Sequence, residues 1–111
     1  MDWNKLINED QLEQLNVNSH TRPQLIYKHS TRCGTSSLIR NRLERATVPA
    51  GMDFYFLDLI AYRSLSDKIA QIFGVKHESP QVLLIQNGKC IYHQSHGAIY
   101  MEEIAAESMR A

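Results

Sequence analysis

The chain has 111 residues, of which 43% are apolar and 22% are charged. This composition is typical of one globular domain spanning 1–111 and excludes a disordered chain. Twelve basic residues balance twelve acidic residues, so no net positive field exists to recruit nucleic acid or an anionic membrane.

The N-terminal segment predicts a cytoplasmic location. Residues 1–10 contain neither the positively charged start nor the apolar stretch of a signal peptide. The sequence also has no uncharged apolar run of about 18 residues for a membrane span. We therefore expect a reducing compartment, in which Cys33 and Cys90 remain thiols unless one takes part in catalysis.

The first half of the chain predicts a helix, a buried strand and a second helix. Asn8 and Gln11 form a variant capping box that begins the first helix. The apolar run over 24–28 indicates a buried strand, and the next helix begins at Cys33. Its predicted core face consists of Leu38, Ile39, Leu43 and Ala46.

The second half predicts a strand, a helix, a hairpin and a final helix. The strand over 53–58 precedes a helix that Ser64 caps and Gly74 ends. The hairpin over 81–94 turns at an Asn-Gly pair, the sequence that favours the tightest turns. The predicted core residues of the two helices are Leu65, Ile69, Ile72 and Phe73, then Met101, Ile104 and Ala105.

The order of these elements predicts an α/β fold. A strand, a helix and a second strand imply a right-handed crossover between two parallel strands. The hairpin then adds antiparallel strands. The expected architecture is a central four-stranded mixed sheet with helices on both faces.

The chemistry is predicted to centre on Cys33, at the start of the second helix. Unpaired N–H groups and the positive end of the helix macrodipole stabilise a thiolate there, and Arg32 adds a positive charge beside it. Such surroundings lower the pKa of a cysteine. The neighbours Thr31, Thr35 and Ser36 are polar, which favours a reactive thiol over a buried packing residue.

The position of a second thiol decides the redox cycle. Ser36 lies one helical turn after Cys33, where a resolving cysteine would otherwise stand, so a local disulfide cannot form. Ser36 either donates a hydrogen bond to the thiolate or caps the helix. Cys90 lies on the predicted hairpin, where packing is the favoured role, and the sequence does not fix its distance from Cys33.

Ser79 and Pro80 directly precede a strand that is expected at the centre of the sheet. A cis bond between them would expose the backbone of Ser79 for pairing with an extended substrate. By itself the pair indicates only a proline that begins a strand, because most X-Pro bonds are trans.

These features together resemble the thioredoxin superfamily, over roughly residues 20–110. The strand that enters a Cys-x-x-Ser helix, the proline before the third strand, the Asn-Gly hairpin and the final helix carry the resemblance. More narrowly, Tyr-Lys-His-Ser-Thr-Arg-Cys at 27–33 is similar to the monothiol bacilliredoxins of the YtxJ type. The chain departs from that pattern at Gly34, where we expect proline, and at Tyr100, where we expect a threonine helix cap.

The resemblance implies a monothiol thiol-disulfide oxidoreductase. Its Cys33 would take bacillithiol, or a similar low-molecular-weight thiol, from mixed disulfides on S-thiolated client proteins. A second small thiol would then reset the enzyme, so the thiol is a co-substrate and no resident cofactor is expected. The resemblance also implies a cis bond at Pro80. The implied substrate contacts are Thr31, Arg32, Gly34, Thr35, Ser79 and Pro80.

Bacillithiol carries carboxylates, so its recognition calls for cations near Cys33. Arg32 is the favoured candidate because its fork pairs bidentately with a carboxylate. For Lys28, a solvated position at the end of the strand is favoured over contact with the ligand.

Two other functions remain open at this point. Two chains could hold an iron-sulfur cluster through their Cys33 thiolates, as monothiol glutaredoxins do, although Thr35 replaces the phenylalanine of their signature. A non-catalytic adaptor is favoured if Cys33 is buried and unreactive. The chain is expected to be a monomer or a weak dimer.

The histidines invite a metal site, but their spacing argues against one. The five histidines and two cysteines lack the paired ligand spacing of a zinc site, so no metal is expected. His29 either stabilises the thiolate or hydrogen-bonds the loop.

Overall fold

The computed structural model describes residues 1–110 as one sheet flanked by helices. The strands are β1 (Asn4–Lys5), β2 (Gln24–His29), β3 (Asp53–Asp58), β4 (Gln81–Gln86) and β5 (Lys89–Ser95). The helices are α1 (Glu9–Asn18), α2 (Gly34–Arg45), α3 (Arg63–Phe73) and α4 (Met101–Arg110), with a 3₁₀ turn at His96–Ala98. None of these helices is long and apolar enough to cross a membrane. The predicted α/β class is confirmed.

The sheet has five strands rather than the predicted four. Their order is β1-β3-β2-β4-β5, in which β1, β3 and β2 run parallel and the hairpin strands β4 and β5 are antiparallel. The additional strand is β1, which pairs with Tyr55 and Phe56 at the edge of the sheet. Its two residues are too few to show the alternation by which a strand is predicted.

Strand β2 lies at the centre of the sheet, and all six of its residues are buried. Leu25 and Tyr27 face a core that includes residues of α2 and α4, whereas Ile26 faces a second core with residues of α1 and α3. A strand covered on both faces has a nearly continuous apolar sequence. The carboxyl end of β2, which leads into Cys33, is therefore held in place from both sides.

Three short sequence motifs adopt the structures predicted for them. The Asn8 side chain accepts a hydrogen bond from the Gln11 N–H, and the Gln11 side chain accepts one from the Asn8 N–H, which completes the capping box. Gly74 ends α3 in the left-handed conformation, with a φ of 64°. Asn87 and Gly88 have φ values of 54° and 76°, as a tight hairpin turn requires.

The predicted roles of three helical residues are wrong. Leu38 is 60% exposed and Ile72 is 51% exposed, so neither packs in a core. Leu38 precedes the fully buried Ile39, and because neighbouring helical residues point about 100° apart, only one of the two reaches the core. Ser64 does not cap α3, because the N-cap is Tyr62, two residues earlier, and the helix begins at Arg63.

The two neighbouring apolar residues of α2 provide a test of the helix orientation. Ile39→Ala leaves a cavity in the core and should lower the free energy of unfolding by about 2–5 kcal/mol. Leu38→Ala removes a mostly exposed side chain and should change it by about 0.5 kcal/mol or less. Urea denaturation measures both variants, and equal losses of stability would contradict the orientation of α2.

Candidate active site at Cys33

Cys33 lies at the N-cap of α2, four residues after the end of β2. Its backbone is extended, with φ −112° and ψ 117°, and its side chain is partly exposed. The Cys33 N–H donates to the Ser30 carbonyl at 3.2 Å, and the Cys33 carbonyl accepts from the Ser37 N–H at 3.4 Å. The loop therefore directs the thiol to the surface at the amino end of α2.

The start of α2 lowers the pKa of Cys33. The largest cause is a hydrogen bond from the Ser36 backbone N–H, and the Thr35 N–H and the hydroxyls of both residues act in the same direction. Desolvation opposes these hydrogen bonds without reversing the shift. Because the thiolate is the nucleophile in disulfide exchange, these groups increase the reactive fraction of Cys33 at neutral pH.

Ser36 joins the active-site loop to the helix. Its side chain is fully buried, and its Oγ accepts a hydrogen bond from the Ser30 N–H at 3.3 Å. Its carbonyl accepts from the Tyr27 hydroxyl at 2.8 Å. The N-cap of α2 is Cys33 and has no side-chain capping bond, so the Ser36 hydroxyl does not cap the helix. It is instead among the groups that lower the pKa of Cys33.

The segment before β4 lies beside the Cys33 loop. Lys28 pairs with Gln81 across β2 and β4, so continuing this antiparallel register places Pro80 opposite His29. The Ser79–Pro80 peptide bond is cis, as the resemblance implies. The Pro80 carbonyl accepts from the His96 N–H at 3.0 Å, and the buried Ser79 Oγ has no hydrogen-bond partner within residues 1–110.

The other predicted contact residues surround Cys33 on the surface. Thr31, Arg32, Gly34 and Thr35 are all exposed. The Arg32 side chain makes no hydrogen bond or ion pair within residues 1–110, and its charge is not among the causes of the Cys33 pKa shift. A Cβ added to Gly34 would contact nothing within 4 Å, so the proline that we expect there would have room. Binding by these residues stays a prediction.

Lys28 is neither a solvated strand-end residue nor within reach of a ligand at Cys33. Its side chain is 0% exposed, and its Nζ donates to the Ser66 carbonyl at 3.1 Å and lies 3.4 Å from His77 Nδ1. Burial lowers the pKa of Lys28 to about 8. The alternation of β2 directs Lys28 toward α3, whereas Tyr27 faces α2.

His29 contacts Tyr27 rather than the thiol. The Tyr27 hydroxyl lies 3.2 Å from His29 Nδ1 and donates its one hydrogen to Ser36, so Nδ1 must be the donor in this contact. Burial lowers the pKa of His29, and the nearby Arg40 adds to the effect. The His29 ring therefore hydrogen-bonds to Tyr27 inside the protein. His29 is not among the causes of the Cys33 pKa shift.

Cys90 is too far from Cys33 to form a disulfide with it. Cys90 pairs with Ile85, which pairs with Gln24 at the beginning of β2, whereas Cys33 follows the end of that strand. Five residue steps along β2 correspond to about 16 Å, and a disulfide needs Cα atoms within about 7 Å. Burial raises the pKa of Cys90, which is consistent with the favoured packing role.

A cavity that the sequence does not predict lies beside Thr31. Its volume is about 280 Å³. It is lined mainly by Lys5, His29, Arg40, Phe56, Asp58 and Tyr62. These residues come from five elements or their flanks, and no spacing in the sequence links them. The only available signal is the rule that ligands bind at the carboxyl ends of parallel strands. Within residues 1–110, no group of three His, Cys, Asp or Glu residues could hold a metal ion.

Comparison with known proteins agrees with this fold. A family model described as monothiol bacilliredoxin BrxC matches residues 4–104. A thioredoxin-fold protein provisionally assigned as an oxidoreductase is 34% identical, with a TM-score of 0.77, over 93% of this chain and 90% of its own. The predicted thioredoxin-like fold is confirmed.

Two thioredoxins of low sequence identity are similar to this chain in structure, and their similarity concerns the fold alone. The thioredoxin of Malassezia sympodialis is 14% identical, with a TM-score of 0.74, and the match covers 98% of this chain and 90% of that one. The thioredoxin of Fasciola hepatica is 18% identical, with a TM-score of 0.70, and the match covers 96% of both chains.

The two cysteines should differ in reactivity within one sample. At pH 7, limiting iodoacetamide should modify Cys33 before Cys90, because hydrogen bonds lower the pKa of Cys33 and burial raises that of Cys90. Peptide mass mapping separates the two sites, and denatured protein serves as the control in which the preference is lost. Equal modification of both cysteines in the folded protein would contradict the assignment.

Removal of the Ser36 hydroxyl should make Cys33 less acidic. Ser36→Ala should move the pH midpoint of Cys33 alkylation upward, but not to that of free cysteine, since the Ser36 backbone N–H makes the larger contribution and is retained. Ser37→Ala is the matched control, because Ser37 is exposed and follows directly in the helix. An unchanged midpoint in Ser36→Ala would show that this hydroxyl does not stabilise the thiolate.

Proposed function

The chain belongs to the monothiol bacilliredoxin family, and on this premise we propose that it removes bacillithiol, or a similar low-molecular-weight thiol, from mixed disulfides on client proteins. The family and the fold establish the general role of a thiol oxidoreductase. The observation that carries the proposal is the geometry of Cys33. It is partly exposed, its pKa is lowered, and no second cysteine lies within bonding distance.

The first step is an attack by the Cys33 thiolate on the sulfur of the small thiol in the client's mixed disulfide. A new bond forms between Cys33 and the small thiol, while the bond to the client sulfur breaks. The electron pair of the broken bond leaves with the client cysteine, which is released as a thiolate and takes a proton from water. The client is thereby reduced, and Cys33 becomes oxidised to a mixed disulfide.

The second step requires a thiol from solution. Ser36 offers no sulfur, and Cys90 lies at the opposite end of the sheet. The thiolate of a second small thiol attacks the sulfur of the bound one, and Cys33 leaves as a thiolate while a symmetrical disulfide of the small thiol is released. The same hydrogen bonds that increase the thiolate fraction of Cys33 make it a better leaving group in this step.

The surroundings of Cys33 support binding of a client segment. The Ser79–Pro80 segment adjoins the loop of Cys33, where an extended chain would pair with the backbone of Ser79. Thr31, Arg32, Gly34 and Thr35 are exposed around the thiol and would contact the small thiol or the client. We propose that the protein acts in the cytoplasm as a monomer or weak dimer, with no resident cofactor.

Thiol chemistry is favoured over a role in binding alone. An adaptor that only retains the fold has no need of an accessible, acidified thiol. Cys33 is partly exposed, and four groups of Thr35 and Ser36 lower its pKa. These observations favour a nucleophile at this position.

The test uses a client protein that carries bacillithiol on a single cysteine. The wild-type chain and reduced bacillithiol should release the client thiol, and Cys33→Ser should abolish this release because the nucleophile is lost. Cys90→Ala is the matched control and should retain the activity. Mass spectrometry should find the bacillithiol adduct on Cys33 during turnover.

Two results would contradict the proposal. One is cleavage of the mixed disulfide by Cys33→Ser at the wild-type rate. The other is a disulfide between Cys33 and Cys90 that accumulates during turnover, because it would replace the monothiol cycle with a two-cysteine cycle.

A further inference from the structure

The cavity beside Thr31 is distinct from the Ser79–Pro80 segment. It opens at the carboxyl ends of the three parallel strands, where Lys5, His29 and Asp58 are the last residues of β1, β2 and β3. Arg40 of α2 and Tyr62 at the start of α3 complete its walls. Strand β4 and its preceding segment lie on the other side of β2. The two features therefore flank the active-site loop from opposite sides.

Two cations line this cavity. Lys5 is exposed, and its ammonium group has no hydrogen-bond or ion-pair partner within residues 1–110. The Arg40 guanidinium lies 4.7 Å from the centre of the Phe56 ring, and its Nε pairs with Glu44 at 3.3 Å. These two contacts fix the orientation of the guanidinium plane. The terminal Nη groups make no hydrogen bond within the described chain.

The one carboxylate in the cavity wall is already engaged. Asp58 Oδ1 accepts hydrogen bonds from the N–H groups of Ile60 at 3.1 Å and Ala61 at 3.4 Å. Backbone donors therefore stabilise this charge locally. Glu44 pairs with Arg40 Nε but is not part of the cavity wall. The groups that suit the cavity to a carboxylate are therefore the unpaired Lys5 ammonium and the free Nη groups of Arg40, whose fork matches a carboxylate.

The remaining wall suits a small organic molecule rather than a bare ion. Ile7 and the partly exposed Phe56 ring provide apolar surface next to the two cations, with the buried Leu6 behind them. A volume of about 280 Å³ approaches the lower end of the range for small-molecule sites. The cavity therefore combines apolar contact with a positively charged end.

The cavity is within reach of a group bonded to Cys33. Thr31, which contributes to its wall, precedes Cys33 by two residues, so their Cα atoms lie within about 7 Å. A small thiol in disulfide linkage to Cys33 can extend past Thr31 into the cavity.

We propose that this cavity binds the carboxylate end of the small thiol while its sulfur is exchanged at Cys33. Lys5 and Arg40 contact the carboxylate, and Phe56 packs against the body of the molecule. The client polypeptide then occupies the other side, along Ser79 and Pro80. The inference rests on the proposed function and assigns specificity for thiols that carry carboxylates.

The test compares two mixed disulfides of one client protein. One carries bacillithiol, and the other carries 2-mercaptoethanol, which is neutral and has no carboxylate. The readout is the ratio of kcat/KM for the first substrate to kcat/KM for the second, because a changed Cys33 pKa affects both values. Lys5→Gln and Arg40→Gln should each lower this ratio about fivefold, and the double variant about twentyfold.

Matched charge controls come from cations outside the cavity. Arg45→Gln removes a charge from the same helix, and Lys89→Gln removes one from the hairpin turn at the far end of the sheet. Both should leave the ratio within about twofold of wild type. Arg40→Lys keeps a charge but loses the fork, so it should fall between wild type and Arg40→Gln.

A second measurement locates the ligand directly. Amide NMR spectra of the protein with either thiol bonded to Cys33 should differ at Lys5, His29 and Phe56. NMR differences confined to Ser79 and His96 would overturn the assignment of the cavity. So would an unchanged ratio of kcat/KM values in Lys5→Gln and Arg40→Gln, provided that the wild type cleaves both substrates. Failure of the wild type to cleave either mixed disulfide would instead reject the proposed function itself.

Discussion

The hydrogen bonds at the start of α2 are the interaction on which this site depends. The backbone N–H groups of Thr35 and Ser36 are free to serve the Cys33 sulfur because the first turn of a helix has no internal acceptors for them. They do so only if Cys33 occupies the N-cap. That position is set by β2, whose burial on both faces fixes where the strand ends and the helix begins.

Ser36 shows how the structure combines a reactive thiol with a stable loop. Its backbone N–H and hydroxyl act on the Cys33 sulfur, while its Oγ and carbonyl accept hydrogen bonds from Ser30 and Tyr27. A fully buried hydroxyl in these contacts satisfies the Ser30 N–H, which would otherwise be buried without a partner. A serine at this position therefore has a structural role of its own and does more than replace a missing cysteine.

The features that sequence predicts well are those decided by a few neighbouring residues. The capping box at Asn8, the left-handed end of α3 at Gly74 and the hairpin turn at Asn87 each depend on local backbone chemistry. The position of Cys33 is equally local, because it follows from a strand that leads into an amphipathic helix. The α/β class then follows from the order of the elements, whereas the thioredoxin-like fold is implied by the resemblance.

The features that sequence misses depend on packing between distant segments. Lys28 resembles a solvated strand end in sequence, yet α3 covers it and supplies the Ser66 carbonyl as its acceptor. Leu38 has the helical spacing of a core residue, but its neighbour Ile39 takes that place. Lys5 and Arg40 meet in one cavity only because β1 joins the edge of the sheet.

The proposed placement of the small thiol bears on how one cysteine completes a cycle. In the resetting step the incoming thiolate must attack the sulfur of the bound thiol and not that of Cys33, since attack on Cys33 would only replace one adduct with another. Disulfide exchange proceeds in line, so the attacking sulfur must approach along the axis of the S–S bond, opposite to Cys33. A carboxylate end anchored by Lys5 and Arg40 fixes the direction of that bond at the protein surface. With Cys90 out of reach of Cys33, the ligand's own binding site is the part of the structure that can impose an orientation.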